Sequence, residues 1–311
     1  MPTGKLSMSR LKASIDLGTN TARLLIGTER DGSVSRCHLS RRITRLGGGF
    51  TKERGISREA AARTVAALKL FAANLKEFHN PKLRAVATSA VRDAVNRSEF
   101  CREVMVETGI ELEIISGEEE GRLTLAGVRS GIDVVDDIML VFDVGGGSTE
   151  YTVAQGDNII FTKSLPLGVV RLTEGKGSHA AIADKIEREL QQLLEEMDRT
   201  SVIQLCKNAT VVATAGTATT LAAIDIGLAD YDYSKVNNHL LDITSIRNIY
   251  NRLACLTPKE RLQQIIGLEE GREDLIIAGT LLTLKSMEMF GSSSLKVSDF
   301  GLLEGVLLSL D

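Results

Sequence analysis

Two short stretches of the sequence combine an aspartate with glycines and small hydroxyl side chains, a composition that suits phosphate binding. Residues 140–150 read LVFDVGGGSTE, and residues 14–21 read SIDLGTNT. In each stretch an apolar strand runs into an aspartate, Asp143 or Asp16, and glycine follows. Glycine permits positive φ and lets backbone N–H groups line a concave nest that accepts phosphate oxygens. Each stretch therefore predicts a β-hairpin whose turn binds a phosphate group.

The aspartates of the two hairpins allow two interpretations. A carboxylate at the end of a strand can hold Mg²⁺ against bound phosphates, or it can accept hydrogen bonds from its own turn. For a single copy the second interpretation is the more common, but repetition on matched hairpins favours phosphate chemistry, with Mg²⁺ at Asp143. The residues predicted to cradle phosphates are Gly18, Thr19 and Asn20 in the first turn and Gly145, Gly146, Gly147 and Ser148 in the second.

Three consecutive glutamates, residues 118–120, follow Ser116 and supply another candidate. Ser116 and Glu119 form the capping box of a helix N-terminus, where acidic side chains are favourable. Glu120 has no such role, and Gly121 costs about 1 kcal/mol inside a helix, which indicates that something approaches it closely. A glutamate at a cleft can orient and deprotonate water for in-line attack on phosphorus. The pattern alone supports a purely structural role and a catalytic base equally.

Four further residues stay open between a structural and a functional role. Arg92 follows a strand at the edge of a loop, where an arginine is either solvated or binds phosphate through two N–H groups. Glu150 closes the second turn, as a cross-strand partner or as a carboxylate near the metal. Gly216 and Thr217 follow a buried strand and indicate either another backbone cradle for phosphate or close helix packing.

The segment 36–58 carries seven basic residues and one acidic residue around three consecutive glycines. A solvated loop that turns at its glycines explains this composition, and so does a mobile basic lip over a polyanionic ligand. The two interpretations carry about equal weight.

At 311 residues, the chain is long enough for two domains with separate cores. Its net charge of −4 and pI near 5.7 argue against general binding to nucleic acid or membrane surfaces. The four cysteines are scattered, which fits a reducing cytoplasm and predicts no structural zinc site. No stretch approaches the roughly 20 apolar residues of a membrane span, and residues 1–12 lack the apolar run of a signal peptide.

The predicted elements repeat in the two halves of the chain. The first half reads β-β-β-α-β-α-β-α, with an amphipathic helix over 57–78. The second half repeats the hairpin and adds an amphipathic helix over 179–199, a buried strand at 211–213 and a long helix over 272–290. This order predicts an α/β fold with mixed sheets and a domain boundary near residues 126–136.

Six stretches together resemble the Ppx/GppA family, the exopolyphosphatases and guanosine pentaphosphate phosphohydrolases. They are IDLGTNTARLLI (15–26), TSAVRDAVN (88–96), IISGEEEGRL (114–123), VFDVGGGSTE (141–150), ATAGTATTLAA (213–223) and VSDFGLLEGVL (297–307). The resemblance implies the actin/sugar-kinase/Hsp70 fold, with two ribonuclease-H-like domains around an active-site cleft. The expected domains are residues 1–126 and 127–299, and the C-terminal helix 300–311 is expected to rejoin the first.

The resemblance also implies a reaction, hydrolysis of the terminal phosphoanhydride of polyphosphate or of guanosine pentaphosphate (pppGpp), with Mg²⁺. By motif, Glu120 matches the proposed catalytic base, Asp143 the metal-associated carboxylate and Glu150 a further acidic residue of the metal site. The phosphate-facing positions of the family match Asp16, Asn20, Arg92, Gly145, Gly146, Gly147 and Ser148.

This chain departs from the family pattern in small ways, and other functions stay open. It resembles the short members that lack a C-terminal HD-like region, and Gly48 and Gly121 replace an acidic residue and an alanine that are common in relatives. A kinase of the same fold and a non-catalytic sensor of (p)ppGpp or polyphosphate are the alternatives. The leading prediction is a cytoplasmic phosphohydrolase. Related folds often form homodimers, and the shared motifs do not rank polyphosphate against pppGpp.

Overall fold

The computed structural model describes residues 11–133, 137–175 and 178–310. The prediction that residues 1–12 are not a signal peptide falls almost entirely on residues outside these ranges. Residues 134–136 of the predicted domain boundary also lie outside them. Two mixed β-sheets flanked by helices confirm the predicted α/β fold. Within the described ranges, no helix is long and apolar enough to cross a membrane.

Each half of the chain contributes its own series of strands and helices. The first half contains β1 (Lys12–Leu17), β2 (Thr21–Arg30), β3 (Ser33–Ile43), α1 (Arg58–Glu77), β4 (Lys82–Ala87), α2 (Ser89–Arg92), α3 (Arg97–Thr108), β5 (Glu113–Ile114) and α4 (Gly117–Arg129). The second half contains β6 (Ile138–Val144), β7 (Thr149–Gln155), β8 (Asn158–Leu165), α5 (Val169–Gly175), α6 (His179–Arg199), α7 (Val202–Cys206), β9 (Thr210–Thr214), α8 (Ala215–Ile226), α9 (Tyr233–Val236), β10 (Leu240–Asp242), α10 (Ile243–Ala254), α11 (Pro258–Gln264), α12 (Ile276–Phe290), β11 (Ser294–Val297) and α13 (Leu302–Leu308).

The two sheets share one strand arrangement. In the first sheet the order is β3-β2-β1-β4-β5, with β1, β2 and β3 antiparallel and with β4 and β5 parallel to β1. In the second, β8-β7-β6-β9-β11 repeats that order and those orientations, and β10 adds an antiparallel edge strand. The internal repeat predicted from the two glycine hairpins is confirmed, and each sheet has the ribonuclease-H-like order.

Helix α6 shows how the sequence determines the packing. Ser178 begins the helix by accepting a hydrogen bond from the backbone N–H of Ala181. The predicted apolar stripe is buried in the core beside the second sheet, and it comprises Ile182, Ile186, Leu190, Leu193 and Met197. Burying each such side chain contributes roughly 1.5–3 kcal/mol, so tertiary packing rather than helix propensity holds α6 in place.

Several elements differ from the sequence prediction. The helix predicted over 272–290 begins at Ile276, and β3 extends as a strand to Ile43, into the segment 36–58 that was interpreted either as a solvated loop or as a mobile lip. Helices α2, α5, α7, α8 and α9 and strand β10 were not predicted. Helix α8 is buried along most of its length, so it has no alternation of polar and apolar faces that a sequence pattern reveals.

Helices α4 and α13 cross in close contact where the two halves of the chain meet. A Cβ atom on Gly127 would overlap the carbonyl oxygen of Gly301, and one on Gly305 would overlap that of Leu123. Helix α13 also lies against the first sheet, where the Ser14 hydroxyl donates a hydrogen bond of 2.7 Å to the carbonyl of Leu303. The boundaries at residues 126 and 299 stay a prediction.

We expect the substitution Gly127→Ala to destabilise the protein by about 2 kcal/mol, because the added methyl group must push α4 and α13 apart. Gly175→Ala is the matched control, since a Cβ atom there meets nothing within 4 Å. It should be neutral or slightly stabilising. Urea denaturation of both variants measures the difference, and an equal effect of the two substitutions would contradict the close helix crossing.

Candidate active site

A cavity of about 360 Å³ lies between the two sheets, where strands β1 and β6 end and their turns begin. In α/β sheets, ligands bind in the crevice outside the carboxyl ends of the strands. The predicted site residues that line the cavity are Asp16, Gly18, Thr19, Asn20, Glu120, Asp143, Gly145, Gly146, Gly147, Ser148, Gly216 and Thr217. Arg92 and Glu150 do not line the cavity, but Arg92 binds Glu120 and Glu150 is the cross-strand partner of Asp143. The structure therefore brings most of the predicted residues to one cavity.

The two glycine turns have the same backbone hydrogen bond. The N–H of Gly18 donates to the carbonyl of Thr21 at 3.0 Å, and the N–H of Gly145 donates to the carbonyl of Ser148 at 3.0 Å. In each hairpin the donor is therefore the glycine that follows the aspartate by two positions. The matching geometry shows that the sequence repeat is also a structural repeat.

The two turns also pack directly against each other. A Cβ atom on Gly147 would overlap the hydroxyl oxygens of Thr19 and Ser89, which lie 2.9 Å apart in a hydrogen bond. A Cβ atom on Gly146 would lie 3.1 Å from the backbone nitrogen of Asn20. Glycine fits these positions because Thr19 and Asn20 of the first turn, together with Ser89, approach them closely, which brings the two candidate phosphate cradles to a single point.

Asp16 and Asp143, the aspartates that end β1 and β6, have different environments. Asp16 forms an ion pair with Arg23, whose Nη2 and Nε atoms lie 2.6 and 3.0 Å from its Oδ2 atom. Asp143 has no ion-pair partner among the described side chains. Burial raises the pKa of Asp143 to about 6, and the charge of Asp16 adds to this effect although Arg23 opposes it.

Glu150 lies directly across the strand pair from Asp143, which places two carboxylates side by side. Like charges in this position repel each other. The Ser164 hydroxyl donates a hydrogen bond of 2.7 Å to the Oε1 atom of Glu150, while the buried Oε2 atom has no partner among the described residues. Burial, with the charge of Asp143, raises the pKa of Glu150 to about 7.

Glu120 occupies the first turn of α4, which Ser116 begins by accepting a hydrogen bond of 3.1 Å from the N–H of Glu119. A Cβ atom on Gly121 would lie 2.6 Å from the hydroxyl of Thr162, so the expected close approach at this glycine is confirmed. The glycine lets α4 lie against the second sheet and brings Glu120 to the cavity. Burial and the charge of Glu150 raise the pKa of Glu120 well above its ordinary value, and Arg92 opposes the shift.

Arg92 and Gly216 have neighbours that the sequence did not indicate. Arg92 ends the short helix α2 rather than a loop, and its Nη1 atom donates to Glu120 Oε2 at 3.0 Å and to the carbonyl of Ile115 at 3.1 Å. Gly216 lies in the first turn of α8, where the guanidinium of Arg272 covers it. Their predicted contacts with phosphate stay predictions.

Four arginines of the cavity wall, Arg23, Arg36, Arg41 and Arg272, were not named as candidates. Arg23 lies inside the motif at 15–26, and Arg36 and Arg41 lie inside the basic segment 36–58, so these three had a sequence signal. Arg272 had none. Part of the basic segment 36–58 belongs to strand β3, and beyond this strand Arg45 pairs with Asp274 at 3.0 Å. The segment is therefore neither a pure loop nor a free lip.

The residues present fit a magnesium ion that phosphates help to hold. No group of three or more His, Cys, Asp or Glu side chains within the described ranges is arranged to hold a metal alone. Mg²⁺ usually takes one or two carboxylates together with substrate phosphates. Asp143 and Glu150 are cross-strand neighbours, and neither has an ion-pair partner among the described residues. The Oε2 atom of Glu150 also has no hydrogen-bond partner there. These two carboxylates would therefore gain most from a bound cation.

Comparisons with known proteins give one consistent result. The model of the Ppx/GppA phosphatase family matches residues 25–311. Exopolyphosphatase 2 of Mycobacterium tuberculosis is 33% identical over 317 residues, which cover 96% of this chain and 98% of that protein. A bifunctional 3-dehydroquinate synthase/phosphatase of Fusobacterium nucleatum is 32% identical over 313 residues. They cover 96% of this chain but 46% of that protein, so the chain spans about half the length of this relative.

Solved structures agree with the sequence relatives. The PPX-GPPA enzyme of Aquifex aeolicus is 33% identical, with a TM-score of 0.78 over 96% of this chain and 99% of that one. An exopolyphosphatase of Cytophaga hutchinsonii is 26% identical, with a TM-score of 0.87 over 97% of each chain. Of these two structures, the Cytophaga hutchinsonii protein has the higher TM-score although its sequence identity is lower.

The buried carboxylates predict how stability depends on pH. Because folding raises the pKa of Asp143 to about 6 and of Glu150 to about 7, the folded state binds more protons than the unfolded state above about pH 4. Their contribution to stability is complete below about pH 4 and is lost as the pH rises through these folded pKa values.

We therefore expect that, without metal, raising the pH from about 5 to about 8 lowers the stability of the Glu150→Gln variant less than that of the unaltered protein, because the amide does not ionise. Thermal unfolding in a chelating buffer across this range measures the two slopes. If the slopes coincide, Glu150 is not the buried, unpaired carboxylate that the structure shows.

Proposed function

Because this chain belongs to the Ppx/GppA phosphatase family, we propose that it is a hydrolase that releases the terminal phosphate of inorganic polyphosphate. The observation that carries this proposal is the position of Glu120. It is a buried carboxylate at the wall of a cavity that two glycine turns also line, and Arg92 holds it at 3.0 Å. This arrangement suits a base facing a bound phosphate.

The terminal phosphate would lie at the meeting point of the two turns. The hydroxyls of Thr19 and Ser148 and the side-chain NH₂ group of Asn20 offer donors at the cavity wall. A preorganised cradle of this kind stabilises the charge that develops on the phosphoryl oxygens. Mg²⁺ bound at Asp143, with Glu150 beside it, would neutralise part of the phosphate charge.

Glu120 would take the proton of the attacking water. Its pKa is raised by burial and by Glu150, which makes it a stronger base than a solvated glutamate. Arg92 and the N-terminus of α4 orient the carboxylate from the other side. Hydrolysis by positioning and charge compensation is the general pattern of phosphoryl transfer, in which the protein does little covalent chemistry.

A specific feature of the cavity favours pppGpp as a second substrate. Tyr231 and Tyr233 line it and are 46% and 50% exposed. The Tyr231 ring is available to a flat base, whereas the guanidinium of Arg36 lies over the Tyr233 ring, 5.1 Å from its centroid. The family does not favour the kinase or the non-catalytic sensor. A cytoplasmic location and a homodimer stay predictions.

The substitution Glu120→Gln tests the role of the base. We expect it to lower turnover of polyphosphate by about 10²- to 10⁴-fold, because the amide cannot accept the proton of water. Glu118→Gln is the matched control, since Glu118 lies on the same helical turn but is exposed. It should retain normal turnover.

Release of orthophosphate from long-chain polyphosphate, tripolyphosphate and pppGpp, measured for both variants with Mg²⁺, provides the readout. Normal turnover by Glu120→Gln would refute its role as the base. Absence of hydrolysis of all three compounds by the unaltered protein would refute the proposed function.

A further inference from the structure

Arg41 reaches from the edge of the first sheet to the second half of the chain. It lies on β3 and lines the cavity, and its Nη1 atom lies 2.6 and 2.8 Å from the two carboxylate oxygens of Glu269. Its side chain is 32% exposed, and the described hydrogen bonds of its guanidinium involve only the Nη1 atom. None of the catalytic steps described above uses this residue.

Glu269 also holds a second guanidinium. The Nε atom of Arg272 lies 2.8 Å from Glu269 Oε2, and the rest of that guanidinium covers Gly216 in the first turn of α8. Burial, together with the charge of Arg41, lowers the pKa of Arg272, and Glu269 opposes this shift. Two guanidiniums therefore share one carboxylate beside the positive end of a helix, an arrangement that favours an additional anion in the cavity.

We propose that Arg41 determines specificity for phosphate chains by binding, together with Arg272, the phosphates that follow the terminal one. Glu269 positions the two guanidiniums for this contact. The inference rests on the proposed hydrolysis of polyphosphate, because a chain with its terminal phosphate at the glycine turns extends along the same cavity. A single orthophosphate bound at the turns does not need Arg41, so its affinity should be independent of this residue.

Arg45 provides a close control for Arg41. It follows β3, and its guanidinium forms a 3.0 Å ion pair with Asp274 in the second half of the chain. Its side chain is 38% exposed, but it does not line the cavity. Loss of Arg45 therefore removes a comparable ion pair between the two halves without removing a charge from the proposed phosphate subsite.

Calorimetric titration with Mg²⁺, in the Glu120→Gln background to prevent turnover, measures the affinity for orthophosphate and for tripolyphosphate. We expect Arg41→Gln to weaken tripolyphosphate binding by about tenfold, the usual effect of one charge-assisted hydrogen-bonding group. Orthophosphate binding should not change. Arg45→Gln should change neither affinity, and Arg41→Lys should show an intermediate loss because it keeps the charge but not the planar donor array.

Unaltered tripolyphosphate affinity in both Arg41 variants would overturn the proposal, as would an equal loss in Arg45→Gln, since Arg41 would then only join the two halves. Thermal unfolding shows whether each variant is folded. If Arg41→Gln does not fold, the comparison of Arg41→Lys with Arg45→Lys replaces it. Because binding rather than turnover is measured, a failure of the proposed hydrolysis is seen separately, in the phosphate-release assay.

Discussion

The arrangement of this protein depends on the burial of four carboxylates, Asp16, Glu120, Asp143 and Glu150, where its two halves meet. Among the described residues, two of the four have guanidinium partners, Asp16 with Arg23 and Glu120 with Arg92. The remaining pair, Asp143 and Glu150, face each other across β6 and β7. Buried charges without partners are costly, so this cluster would gain stability if the proposed cation and phosphate bound to it.

The cluster exists because the backbone can approach so closely around it. Gly146 and Gly147 place one hairpin turn against the other, and Gly121 lets the first turn of α4 lie on the second sheet. Gly127 and Gly305 then let α4 cross α13 at the same junction. A side chain at any of these glycines would separate the groups that must act on one phosphate, which links the fold directly to the chemistry.

Local sequence pattern predicted much of this arrangement. The repeated hairpins predicted the two sheets, and the helix start at Ser116 left Glu120 as the residue without a capping role. Ser116 accepts the predicted hydrogen bond from the N–H of Glu119, but the Glu119 carboxylate pairs with Arg122 and Arg84 and does not complete the capping box. What the sequence did not reveal depends on contacts between distant segments. Helix α8 has no polar face because it is buried, and the pairing of Arg92 with Glu120 and of Arg41 with Glu269 requires the fold to bring separate elements together. Arg272 lies in no motif, and its position over Gly216 is set by tertiary structure, so the sequence did not identify it as a candidate.

The central claim is that water, deprotonated by Glu120, attacks the terminal phosphorus atom of a bound chain. Hydrolysis of tripolyphosphate in ¹⁸O-labelled water, with mass analysis of both products, tests it directly. The account predicts one solvent oxygen in the released orthophosphate and none in the pyrophosphate. Label in the pyrophosphate would show attack on an internal phosphorus atom and would contradict the placement of the terminal phosphate between the two glycine turns.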